Sequence, residues 1–250
     1  MMVYFVGAGP GDPELITIKG KRVLEEADIV IYAGSLVNPE VLNFTRSPVE
    51  IYDSASMDLE EIISVIEKGF NEGKKVVRLH TGDPAIYGAI QEQINLLEQK
   101  NIPCRVIPGV SSMAAAAASL NREFTQPGVT QSIIITRIEG RTPVPEKEEL
   151  SLLSRHRGSM CIFLSVQKIE EVVSRLQEGY SPETPVAVIY KASWPEEKVI
   201  LGELSTIAGK VKEEGVEKTA LILVGDFIKG DGEPSKLYDS AFTHGFREGK

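Results

Sequence analysis

Short runs of β-branched and aromatic residues alternate, along the N-terminal part of the chain, with stretches whose apolar positions recur every three or four residues. Val3–Gly7 reads as a strand, Leu15–Glu26 as a helix with Gly20 inside it, and Asp28–Ala33 as a second strand. Leu59–Asn71 carries apolar residues at 59, 62, 63, 66 and 70, the spacing of an amphipathic helix. Lys75–Leu79 is a further strand, Ile86–Lys100 a helix, and Cys104–Ile107 a strand stopped by Pro108-Gly109. Strands separated by helices of about ten to fifteen residues predict βαβ crossovers and a parallel sheet.

Ser111–Leu120 is an alanine-rich stretch, predicted as a tightly packed helix. Beyond about residue 121 the texture changes. Gln131–Thr136 and Met160–Ser165 read as apolar strands with a polar, proline-bearing segment, Arg137–Lys147, between them. Ile169–Gln177 reads as a helix, Pro185–Tyr190 as a strand, Ser205–Glu214 as a helix and Thr219–Val224 as a strand. The expected organisation is an N-terminal α/β domain over 1–120, a C-terminal α/β domain over 121–230, and a polar tail over 231–250.

Composition adds limits. At 250 residues, 42% hydrophobic and 25% charged, the chain can bury a sizeable core. A formal net charge of −9 argues against a general nucleic-acid binder, while leaving room for a locally positive cleft that takes an anionic small molecule. No run approaches the apolar length of a membrane span, and the N-terminus enters a strand with no leader pattern. Cys104 and Cys161, lacking a ligand spacing, read as buried free thiols, with no metal site; a reducing cytoplasm is expected.

The loop Gly7–Asp12, GAGPGD, sits where a dinucleotide fingerprint would, between a strand and a helix. Three details oppose that reading. The third glycine comes one residue early, Pro10 removes a backbone N–H from any phosphate cradle, and Asp28 opens the second strand rather than closing it. The loop is better read as a tight turn that lets something approach the backbone; a nicotinamide-dependent oxidoreductase is the minor alternative.

Five segments in register, VGAGPGDPELIT (6–17), ADIVIYAGSLV (27–37), VVRLHTGDPAIYG (76–88), VIPGVSSMAAAAA (106–118) and TALILVG (219–225), resemble the tetrapyrrole methylase family. YAGSLVNPEVL (32–42), TGDPAIYGAIQEQ (81–93), REFTQPGVTQSIIITRIEGRTPVPEKEEL (122–150) and SMCIFLSV (159–166) are most similar to its precorrin-4 or cobalt-precorrin-4 C-11 methyltransferase branch. In the uroporphyrinogen-III branch an acid follows the tyrosine of the second strand and is considered the catalytic base. Here Ala33 stands at that place, so no catalytic residue is carried over.

The resemblance implies two α/β domains with an active-site trough between them, a homodimer, and S-adenosyl-L-methionine as methyl donor. It places the cofactor at Pro10, Thr81, Gly82, Asp83, Ile86, Ser111, Ser112, Leu164, Ala192, Thr219 and Ala220. Some of these residue types have simpler roles too. Ser111 would equally cap the alanine helix, and Asp83 before proline would equally form an Asx turn. A polycarboxylate macrocycle calls for arginine forks. Arg46, Arg122, Arg137, Arg141 and Lys191 are available, with Arg137 and Arg141 foremost. Tyr32 and Tyr87 would line the trough or pack in the core, and His80 would either titrate near neutrality or play a structural part.

The implied reaction is in-line displacement of the sulfonium methyl onto C-11 of the tetrapyrrole, releasing S-adenosylhomocysteine. Other readings stay open at this point: a tetrapyrrole C-methyltransferase acting at C-2/C-7, C-17 or C-20, a diphthine-synthase-type protein methyltransferase, or a sensor that binds the cofactor without turnover.

Overall fold

The computed structural model describes residues 1–46 and 48–250. These form two compact units, Met1–Ala115 together with Lys191–Glu196, and Ala116–Tyr190 together with Glu197–Lys250. The division falls inside the alanine helix, and a six-residue segment from late in the chain joins the first unit.

In the first unit the chain runs β1 (Val3–Gly7), α1 (Ile18–Glu25), β2 (Ile29–Tyr32), β3 (Glu50–Asp53), α2 (Leu59–Asn71), β4 (Val76–His80), α3 (Gln91–Gln99) and β5 (Cys104–Ile107). Helix α4 (Ser112–Ser119) follows. The five strands are ordered β3-β2-β4-β1-β5 and every pairing is parallel, as the alternation of strands and helices predicts. Side chains alternate between the two faces. Val6, Val30, Val77 and Leu79 meet Val23 and Leu24 of α1 on one face. Val3, Phe5, Ile29, Ile31 and Val76 meet α2 and Leu97 of α3 on the other.

Adjacent strands β1 and β4 therefore send their following helices to opposite faces. This is a topological switch point, where the crevice at the strands' carboxyl ends accepts ligands. Two helices start later than their apolar spacing predicts. Residues Pro13–Leu15 form a 3-10 turn capped by Asp12, and Thr17 then caps α1 through a bond from Gly20 N to its Oγ1, 3.0 Å. Ahead of α3, Tyr87 and Ala89 have φ of +53° and +49°, which no helix contains.

The second unit contains β6 (Ile133–Arg137), α5 (Leu150–Ser154), β7 (Ser159–Phe163), α6 (Ile169–Leu176), β8 (Pro185–Tyr190), β9 (Lys198–Glu203), α7 (Ile207–Glu213) and β10 (Ala220–Val224). Its sheet is mixed, ordered β6-β7-β10-β8-β9, with β6 parallel to β7 and the other pairs antiparallel. Met160, Ile162, Val186, Val188, Ile222 and Val224 form one core with Val172 and Leu176 of α6 and Ile207 and Val211 of α7. Residues 231–250 are irregular; a turn at Lys236–Tyr238 and a His244–Arg247 bridge are tied by Arg247 to the carbonyls of Leu237, Asp239 and Phe242. Among the described residues no helix is long and apolar enough to cross a membrane, and no cluster of His, Cys, Asp and Glu could hold a metal ion.

Candidate active site

At the carboxyl ends of β1, β4 and β5 three loops meet through glycine. A Cβ on Gly7 would lie 2.6 Å from Gly109 Cα and from the carbonyl oxygen of Gly82. On Gly109 it would lie 2.8 Å from Gly7 Cα and nearer still to that carbonyl. Gly9 and Gly82 form a bridge in which Gly82 N donates to Gly9 O at 2.8 Å, with φ of +85° and +61°. What approaches the backbone of the opening loop is thus, first, another backbone.

Asp83 completes the junction. Its Oδ2 accepts from Gly109 N at 2.9 Å and its Oδ1 from Ala85 N at 2.8 Å, so the carboxylate makes an Asx turn and clamps the third loop to the second.

A segment from the far end of the chain closes over the same loop. Trp194 Nε1 donates to Pro10 O at 2.9 Å, and Asp12 N donates to Ser193 Oγ at 3.0 Å. From the other side, buried Asn38 donates through Nδ2 to Gly11 O at 2.8 Å. The indole lies on Gly11, where a Cβ would come within 2.7 Å of Trp194 Cγ, and Lys191 Nζ sits 4.9 Å from the ring centroid. Gly9 N already donates to Gly82 O and Asp12 N to Ser193 Oγ, and Pro10 has no N–H, a poor arrangement for a pyrophosphate cradle. Ala192 is buried in this strap, flanked by left-handed Lys191 (φ +48°) and Ser193 (φ +68°).

Facing the Gly82 loop is the start of α4. From a Cβ on Gly82 the nearest atoms would be Ser112 N at 3.7 Å and Ser111 Cα at 3.8 Å. Ser111 Oγ accepts from Met113 N at 3.3 Å, the capping role its type predicts. Local contacts therefore bring Pro10, Gly82, Asp83, Ser111, Ser112 and Ala192 onto neighbouring loops of one unit, and Thr81 precedes Gly82 on the same loop. Ile86 lies in the turn after Pro84, its N–H donating to Asp83 O at 3.1 Å.

In the second unit Leu164 follows β7 and Thr219 precedes β10. Ile222 pairs with Ile162, and continuing that antiparallel register outward sets Ala220 beside Leu164. Leu164 has φ +53° with 64% of its surface exposed, and Thr219 has φ +55°. Left-handed backbone is costly for residues with a Cβ and concentrates at functional sites. Leu164 and Thr219 are themselves candidate cofactor positions, and Lys191 and Ser193 flank a third.

The remaining candidates scatter. Arg137 donates to the carbonyls of Ile138, Thr142 and Pro143, so its guanidinium staples its own loop. Arg122 likewise holds Ile228 O at 2.9 Å, and Arg46 lies 3.6 Å from Glu25. Arg141 and Tyr87 are exposed, whereas half-buried Tyr32 packs against the core on the α1 face. Of the two readings of His80, the structure favours the structural one over titration near neutrality: burial, and then the charge of Arg78, push it down to about 3. Sequence reasoning did not single out Trp194, Ser193 or Asn38. The one available signal was a lone tryptophan in a polar stretch, KASWPEEK.

A family model described as tetrapyrrole (corrin/porphyrin) methylases matches residues 2–208. A cobalt-precorrin-4 C(11)-methyltransferase of Methanocaldococcus jannaschii is 59% identical over 98% of this chain and 96% of its own. A solved cobalt precorrin-4 methyltransferase of cobalamin biosynthesis superposes with a TM-score of 0.89 at 43% identity, covering 93% of this chain and 96% of its own. A uroporphyrin-III C-methyltransferase from Thermus thermophilus, solved with S-adenosylhomocysteine, superposes at 0.78 with 29% identity over 92% of this chain and all of its own.

Proposed function

We propose, because the chain belongs to the tetrapyrrole (corrin/porphyrin) methylase family, that it methylates precorrin-4 or its cobalt complex at C-11, with S-adenosyl-L-methionine as donor, in corrin-ring biosynthesis. The observation that carries the reading is the coincidence of candidate cofactor positions with glycine-tied or left-handed backbone: Gly82, Leu164, Thr219, and Ala192 between Lys191 and Ser193. The residues present fit such a ligand. Leu164 offers an exposed apolar side chain, Thr81 and Ser112 offer hydroxyls, and the loop geometry is already set by Asp83 and Trp194.

When bound, S-adenosyl-L-methionine supplies a sulfonium methyl already activated for displacement. The chain's part is to bind, align and keep water away. The donor positions carried by the first unit are Pro10, Thr81–Asp83, Ile86, Ser111, Ser112 and Ala192, and those carried by the second are Leu164, Thr219 and Ala220. Holding two reactants in line removes roughly 7–11 kcal/mol of barrier in favourable cases. Ala33, the residue after β2, brings no carboxylate, and the Asp83 carboxylate is engaged with two amides. Alignment, rather than proton abstraction by a strong base, is the mechanism these residues support.

The same reading has the enzyme acting as a homodimer in the cytoplasm. Exposed Ile133 and Ile135 on edge strand β6 are the kind of surface a second copy covers.

The test is incubation with S-adenosyl-L-methionine and precorrin-4, with and without cobalt, followed by mass and NMR analysis. One new methyl at C-11 is the expected result, and relative rates assign the cobalt form. A methyl at another carbon points to a different tetrapyrrole methyltransferase. Methylation of elongation factor instead points to the diphthine-synthase type, and cofactor binding without transfer to a sensor.

A further inference from the structure

On β4 the alternation that buries Val76 among the helices α2 and α3 carries Arg78 and His80 to the same face. Arg78 pairs across the sheet with Phe5, whose ring stacks on His80 at 6.0 Å. Both polar residues are 5% exposed, and neighbouring Gln93 is 4% exposed. Among the described residues no ion pair includes Arg78. Its hydrogen bonds go to neutral oxygens and none is short: Ile31 O at 3.2 Å, Gln93 Oε1 at 3.4 Å and Leu79 O at 3.5 Å. His80 Nε2 is buried with no hydrogen-bond partner.

A guanidinium buried without an anion is unfavourable, and an orphaned imidazole nitrogen beside it adds to the cost. Desolvation draws Arg78 down to about 10, so it keeps its charge at neutral pH, whereas His80 is neutral and retains one N–H. Both deficits point to the same missing partner, an anion with two oxygens. A carboxylate matches the fork of Arg78 and can accept from the imidazole N–H as well. Gln93 ties this pair to the segment after the Asp83 loop, donating through Nε2 to Ala89 O at 3.1 Å. That segment holds the left-handed Tyr87 and Ala89.

We propose that Arg78 and His80, positioned by Gln93, form a carboxylate-binding site that takes an acidic side chain of the tetrapyrrole or the amino-acid carboxylate of the methyl donor. The proposal rests on the methyl-transfer reading above, and the wild-type protein in the same assay separates the two.

Three variants test it: Arg78→Met, which keeps the stem and removes the charge, Arg78→Lys, and Gln93→Glu, which plants an internal carboxylate beside the guanidinium. For each, the S-adenosylhomocysteine dissociation constant, KM and kcat for the tetrapyrrole, and the melting temperature are measured. Arg78→Met should weaken one ligand by about tenfold to a hundredfold while sparing the other, and Arg78→Lys should recover part of the loss. A raised KM for the tetrapyrrole assigns the site to substrate; a raised dissociation constant assigns it to the donor. Gln93→Glu gives a signature that packing alone would not: a higher melting temperature with weaker binding of that same ligand. Should Arg78→Met fail to fold, Gln93→Glu decides. Both ligands held within twofold of wild type in the folded variants would overturn the site. A wild-type protein that transfers no methyl would overturn the reaction, and the site's assignment with it.

Discussion

The contact of Trp194 with Gly11 can be tested by removing both partners. An alanine Cβ at Gly11 would meet the indole at 2.7 Å from Cγ and closer elsewhere, so Gly11→Ala must expel or tilt the ring. Trp194 contributes a hydrogen bond to Pro10 O, a stack with Lys191 and the burial of half an indole. These are worth about 1, about 0.5 and about 2 kcal/mol respectively, so Trp194→Ala should cost about 3 kcal/mol. Gly11→Ala alone should cost a similar amount, because it forfeits the same contacts. With the indole already gone the methyl meets empty space, and alanine should then be neutral or favourable by about 0.5 kcal/mol.

The double mutant should therefore be no less stable than Trp194→Ala, a coupling of about 2–4 kcal/mol. Urea unfolding followed by far-ultraviolet circular dichroism measures it, since Trp194 is the protein's one tryptophan and fluorescence would vanish in half the cycle. Coincident transitions must be checked first, because the two units could unfold separately. Costs that add within about 0.5 kcal/mol would refute the contact as the reason for glycine at position 11.

Other outcomes follow from the same geometry. Gly82→Ala meets nothing closer than 3.7 Å but must hold φ +61°, so urea titration should show a loss of only about 1–2 kcal/mol. Gly109→Ala, driven into two backbones, should cost more than about 3 kcal/mol by the same measurement. Leu164→Gly should relieve about 1 kcal/mol of left-handed strain while weakening S-adenosylhomocysteine by roughly tenfold in calorimetry; unchanged affinity would remove Leu164 from the cofactor site. His80, buried neutral with a folded pKa of about 3 against an unfolded value of 6.5, stabilises the fold fully above pH 6.5. That contribution is lost as pH falls from 6.5 toward 3, with a slope of up to about 1.4 kcal/mol per pH unit. Urea midpoints between pH 4 and 8 should show this slope in the wild type and a flatter one in His80→Gln. Cys161, whose thiol burial pushes well up, should resist a thiol reagent in the native protein, and both cysteines should react once it is unfolded.

How far the sequence could be read depended on where each residue's partner lies in the chain. The parallel sheet was legible because its strands are apolar runs separated by helices with clear periodicity. Strand β3 was missed because Glu50–Asp53 is a short edge strand with little apolar content, recognisable only through its pairing to β2. The early start predicted for α3 failed because IYGAI has helical spacing, and a pattern of apolar residues carries no information on Tyr87 and Ala89 being left-handed. The opening loop shows the same division. Its glycines announce that something approaches the backbone, but the indole that does so is 184 residues away in sequence.

Asp83, Ser111 and Arg137 mark a harder boundary. Carboxylates, hydroxyls and guanidiniums bind backbone groups with the same chemistry they use on ligands, so residue type alone cannot separate loop staples from recognition groups. The structure finds protein partners for all three, and leaves His80 Nε2 without a partner and Arg78 with neutral oxygens but no anion. In VVRLH the sign was present: two polar residues two apart fall on one face of a strand that apolar neighbours bury on both. Charge at a position where the pattern demands a hydrocarbon is a stronger pointer to a ligand than charge in a loop. The loop charge costs little to solvate, whereas the buried one is disfavoured until something answers it.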